Sequence, residues 1–151
     1  MPITPIDENL TYVFVVAGSV IEKDGKYLLV QEKLQHVYGL WNLPAGKAEK
    51  NLSIAENAIK EAKEETGYDV ELIREIDIYH QDGEKSVKHA FEAKITGGEL
   101  KFPKDEILDV KWFSLDQIKE LDLQGKIRSD WVVKAIQTVE NAKTDYKTGN
   151  N

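Results

Sequence analysis

The residues best suited to do chemistry are three glutamates in the run Glu61-Ala62-Lys63-Glu64-Glu65-Thr66-Gly67. On a helix, Glu61 shares a side with Glu64 and Glu65, three and four positions on. Like charges at that spacing cost roughly 0.2–0.5 kcal/mol per pair. They also crowd the end of a helix, where the macrodipole prefers cations, a further cost of about 0.3–1 kcal/mol. A divalent cation reverses both signs, because oxygen-rich clusters suit Mg²⁺. The same run also reads as a solvated acidic face, with Lys60 and Lys63 offsetting part of the repulsion.

These carboxylates need an element to carry them, and residues 53–66 supply it. Ser53 sits three before Glu56, the pattern of a capping box. Ile54, Ala55, Ala58, Ile59 and Ala62 recur at helical spacing, and Gly67 follows where a left-handed cap belongs. Just upstream, Leu43-Pro44-Ala45-Gly46 forms a tight loop whose glycine lets backbone carbonyls approach a ligand. Residues 11–22 read as a buried strand, Asp24-Gly25 as a hairpin turn and residues 26–31 as the return strand. Strands follow over 70–79 and 88–95, with turns at Asp82-Gly83 and Gly97-Gly98. Residues 110–113 make a short strand, and Ser114 caps a helix through Leu121. A last amphipathic helix covers 129–143 with Trp131, Val132, Ala135 and Ile136 inward. This order predicts an α/β fold with helices on both faces of a mixed sheet.

The length of 151 residues suits one domain, with 1–10 and 144–151 as flexible ends. A formal charge of −7 repels the phosphate backbone and argues against long nucleic acids as partners. No apolar run approaches the roughly 18 residues of a membrane span, and the N-terminus lacks a secretory pattern. Without cysteine there is no disulfide or thiolate site, and the simplest expected address is cytoplasmic. His36, His80 and His89 lack metal-ligand spacing. No P-loop and no G-x-S-x-G turn is present.

Taken together, loop, capped helix, acidic end and Gly67 resemble the box of the Nudix (MutT-like) hydrolases, G-x5-E-x7-R-E-U-x-E-E-x-G-U with U bulky and apolar. Here the box runs from Gly46 through Leu52, Lys60, Glu61, Ala62, Glu64, Glu65 and Gly67 to Tyr68 with its spacing kept, and Trp41-Asn42-Leu43-Pro44 looks like the usual lead-in. Two strict positions depart: Leu52 stands where an acid is expected and Lys60 where an arginine is. In the family those two are expected to pair and brace the loop, so the departure implies a less rigid loop with Leu52 as an apolar substitute. Lysine also lacks the bidentate fork of arginine.

The resemblance implies an α/β/α sandwich and Mg²⁺-dependent cleavage of a diphosphate linkage, with Mn²⁺ as an alternative metal. The implied metal ligands are Glu61, Glu64, Glu65 and the Gly46 carbonyl. For the general base, Glu64 and Glu61 are candidates within the box, and Glu106 is the choice from the loop before the 110–113 strand. Tyr38 and Trp41 could stack on a substrate ring or belong to the core, and Lys33 and Lys47 could touch phosphate. The expected substrate is a small nucleoside di- or triphosphate, or a diphosphate linked to another moiety. A metal- or nucleotide-binding regulatory module with little turnover is the alternative. The family also implies a homodimer as one available assembly.

Overall fold

The computed structural model describes residues 6–149, with side chains described through Thr144. It opens on a hairpin of β1 (Phe14–Lys23) and β2 (Lys26–Glu32). Asp24 and Gly25 between them have φ of +53° and +80°. Two consecutive left-handed residues make the two-residue turn that matches strand twist. One 3-10 turn at Gln35–Val37 leads to β3 (Trp41–Asn42) and β4 (Ala45–Lys47). Then come α1 (Ile54–Thr66), β5 (Tyr68–Tyr79), β6 (Ser86–Gly98) and β7 (Ile107–Ser114). α2 (Leu115–Leu123) and α3 (Trp131–Gly149) complete the order.

All seven strands join one mixed sheet with β1 at its centre. β1 runs parallel to β6 on one side, from Phe14 opposite Ser86 to Ile21 opposite Ala93. Its other edge is shared. Val16, Ala17 and Gly18 pair with Lys47, Gly46 and Ala45 of β4, while Glu22 and Lys23 pair with β2. β5 lies antiparallel outside β6, and β7 and β3 lie antiparallel to β2.

Alternation along the strands splits the core into two layers. Val20, Tyr27, Leu29 and Ala90 meet Ile118 of α2 and Trp131, Val132, Ala135 and Ile136 of α3. Ile21, Leu28 and Val30 point the other way, toward Ala62 of α1, and Ala17 and Phe91 meet Ala58. Burying each Leu or Ile contributes roughly 1.5–3 kcal/mol. The expected α/β/α sandwich is therefore what forms.

Three local expectations change. Gly97 and Gly98 do not leave the sheet but stay paired with Asp69 and Tyr68, giving a longer β6. Ile59, placed on the apolar stripe of α1, is 37% exposed. α3 runs on past residue 143 to Gly149, while 1–5 and 150–151 lie outside the described residues. Among the described residues, no helix is long and apolar enough to cross a membrane.

Candidate active site

Both ends of α1 are built as expected. The Ser53 hydroxyl accepts the Glu56 amide and the Glu56 carboxylate accepts the Ser53 amide, a complete capping box. Gly67, at φ +84°, closes the helix by donating its amide to the Lys63 carbonyl. The helix lies against β4, and this fixes where its glutamates point. Glu65 accepts the Ala45 amide at 2.6 Å. Glu61 presses its carboxylate against Gly46, so closely that a Cβ there would overlap it. Only glycine fits.

Glu61 and Glu65 line a cleft of 710 Å³ together with Glu32, Glu106, Gly46, Lys47 and Arg128. Phe14, His36, Lys85, Lys88, Ser129 and Trp131 line it too. Burial raises the Glu61 carboxyl, with Glu64, Glu49 and Glu106 adding like charge against Lys60. Glu65 keeps some exposed surface, yet protein surrounds it. Burial pushes its carboxyl well above the usual range, opposed by the Ala45 amide and reinforced by Glu61, Glu32 and Glu106. Neither carboxylate forms an ion pair with a described lysine or arginine. Two half-enclosed carboxylates one helical turn apart, neither held in a direct ion pair, fit a hard divalent cation in donor type. Among the described residues no three His, Asp or Glu side chains are already gathered as a ligand set.

Glu64 is not with them. Its carboxylate is 2.5 Å from Lys60 Nζ, and it borders a separate hollow with Lys63, Gly67 and Phe102. At 300° around the helix from Glu61, it falls on the outer flank while Glu65, at 400°, returns to the inner one. Glu106 does reach the cleft, from the turn before β7.

The other expected contacts sort by which way each side chain faces. Trp41 is 6% exposed and meets the Phe113 ring edge-on at 4.8 Å, so it belongs to the core. Tyr38 is 62% exposed and borders no part of the cleft. Lys33 donates from Nζ to the Lys104 carbonyl at 2.8 Å, tying down the loop that carries Glu106. Lys47 does line the cleft, with Nζ 4.3 Å from the centre of the Phe14 ring. Phe14, Arg128 and Lys85 escaped sequence reasoning. The sequence carried no signal for them, since Phe14 falls inside the strand expected over 11–22 and the structure begins β1 at Phe14 itself.

Leu52 is half-buried and belongs to none of the core clusters, so it is no apolar substitute for the missing brace. Lys60 instead makes an exposed ion pair in another register. Lys60 Nζ lies 3.2 Å from Glu49, three residues before Leu52. Its ammonium is held up to about 12 by Glu64 first and Glu49 second.

Fold, cleft and box together define the class, and the NUDIX domain family matches residues 11–133. The chain belongs to the Nudix family. It is 32% identical to the 8-oxo-dGDP phosphatase of Danio rerio over 74% of this chain and 35% of that protein. It is 31% identical to the NAD-capped RNA hydrolase of Vibrio atlanticus over 84% of this chain and 44% of that one. The chain thus spans well under half the length of these curated relatives. A NUDIX hydrolase from Nitrosomonas europaea superposes with a TM-score of 0.76 and 29% identity, covering 87% of this chain and 90% of that one.

Proposed function

We propose that this chain hydrolyses the phosphoanhydride of a nucleoside di- or triphosphate, or of a nucleoside diphosphate joined to a second moiety. A divalent cation, Mg²⁺ or Mn²⁺, would be held by Glu61, Glu65 and the Gly46 backbone. One observation carries the reading: two carboxylates outside any direct ion pair share a cleft with Lys47, Lys85 and Arg128, and with Lys88, which is paired to Glu84. The names of the two relatives above, both nucleotide-directed, support the substrate class.

The cation would supply the positive charge that lets a diphosphate approach Glu61 and Glu65. The chain's own groups do the rest. Lys47 and Arg128 hold phosphate oxygens, which positions the anhydride and stabilises charge that builds on the leaving group. Glu106 takes the proton from the attacking water: of the two cleft carboxylates outside α1, Glu32 and Glu106, it is the one whose charge acts on both Glu61 and Glu65. Phe14, exposed at the cleft beside Lys47, offers its ring to a base. Glu64 would enter only if its ion pair with Lys60 opened.

The test is phosphate or diphosphate release with Mg²⁺ and with a chelator, across nucleoside triphosphates (oxidised ones included), nucleotide sugars, dinucleoside polyphosphates and thiamine-type diphosphates. Metal-dependent release from a nucleotide class is expected. Turnover that ignores the chelator would remove the metal from the reading, and no turnover from a protein that binds Mg²⁺ would favour a binding module instead.

A further inference from the structure

Asn57 is the most deeply buried polar side chain of α1 after Thr66, at 1% exposed. It sits four residues before Glu61 and eight before Glu65, on the same stripe of the helix. Along that stripe the chain from Ala45 to Glu49 runs in the opposite direction and is fastened at each level. Ala45 donates to Glu65, Gly46 abuts Glu61, and the Glu49 amide donates to Asn57 Oδ1 at 2.8 Å. Asn57 Nδ2 faces the carbonyls of Ser53 at 2.9 Å and Glu49 at 3.2 Å, with Leu52 at 3.4 Å. Between these levels the Ala48 amide donates to Val15 of β1 at 2.7 Å. Outside, Lys60 joins Glu49 to Glu64.

We infer that Asn57, with the Glu49–Lys60 pair as its outer support, is a positioning residue for the metal-facing segment Ala45–Gly46. It acts through Glu49 and the short β4, and it does the work that the acid absent at Leu52 would have done. A buried amide suits the task. It accepts one N–H and donates to two carbonyls of the loop, so the buried amide meets its own polar groups while fastening that segment. It does so without placing another carboxylate beside Glu61 and Glu65. An exposed Lys60–Glu49 pair alone would be too weak and too screened to hold the loop. The metal part of this inference rests on the proposed hydrolase reading; the positioning part does not.

The experiment is amide hydrogen exchange on the metal-free protein, followed by Mn²⁺ titration, for wild type, Asn57→Ala and Glu49→Gln. Asn57→Ala should speed exchange at Ala45 as well as Glu49, by about tenfold, while core strands stay protected. It should weaken Mn²⁺ by about tenfold, the lower end of what supporting residues contribute to metal sites. Glu49→Gln, at an exposed side chain, should give the same pattern at smaller size and keeps the test readable if Asn57→Ala does not fold. Faster exchange at Glu49 alone, with Ala45 and Mn²⁺ affinity unchanged, would overturn the inference. A wild type that binds no Mn²⁺ would sink the metal reading, while the exchange at Ala45 would still decide the positioning role.

Discussion

The Glu65 carboxylate accepts the Ala45 amide at 2.6 Å, and Gly46, the next residue, packs on Glu61. The two glutamates are thus aimed by a three-residue strand as much as by their helix. Gly46→Ala should therefore disturb the site directly. Its methyl lands on the Glu61 carboxylate, the far end of a flexible side chain, so that carboxylate must move while the fold persists. Mn²⁺ titration should show a weaker site with little change in thermal melting. An alanine variant with unchanged metal affinity would mean that the position of Glu61 against Gly46 does not set the site.

Burial sets a pH dependence with a definite sign. Glu61 and Glu65 are raised above the ordinary value of 4.5, which an unfolded carboxyl would show. Their contribution is thus fully present below 4.5 and is lost as pH rises through the raised values. Without metal, Tm should fall on this account as pH is raised from about 5 to about 8, once other groups are matched in a Glu61→Gln, Glu65→Gln double variant. Added Mg²⁺ should restore more stability at the high end than at the low end. A Mg²⁺ effect that shrinks with rising pH would contradict the assignment.

Trp41 and Tyr38 are separated by a simple comparison. Trp41→Ala removes a core ring that packs on Phe113 and should cost about 3–5 kcal/mol. Tyr38→Ala, on the surface, should stay within about 0.5 kcal/mol and leave KM alone. Denaturant melts and initial rates measure both. A KM change for Tyr38→Ala would return that ring to the substrate.

Phe14 is 54% exposed at the cleft, with Lys47 over its ring. Stacking of this size is worth about 1 kcal/mol, so Phe14→Leu should raise KM for a base-bearing substrate about fivefold. Its kcat should move little. Inorganic triphosphate, which has no ring, should be indifferent to the change, and equal effects on both would remove Phe14 from base recognition.

What the sequence disclosed follows from the range of the interactions involved. α1 was legible because its cap, stripe and glycine are local, and Glu61 and Glu65 came with it. The two-residue turn at Asp24-Gly25 was legible for the same reason. β4 was not, because three residues carry no period and exist as a strand only by pairing with Val16–Gly18. Residue type could not say that Trp41 faces Phe113 while Phe14 faces the cleft. Nor could box spacing show that Lys60 reaches Glu49 in place of position 52 or that it holds Glu64 outward. Asn57 did leave a trace, as a polar residue beside Ala58 on a face that otherwise buries small apolar groups.

Glu65→Gln tests the central claim most directly, with turnover of the best nucleotide substrate measured in Mg²⁺. Glutamine keeps the length of the side chain and an oxygen for the Ala45 amide, so the fold and its melting should persist while one metal-facing charge is lost. The rate is expected to fall by about 100-fold or more, in the range seen when one preorganised electrostatic group is removed. A folded Glu65→Gln protein with wild-type turnover would contradict the account, because hydrolysis would then proceed without the carboxylate on which the site is built.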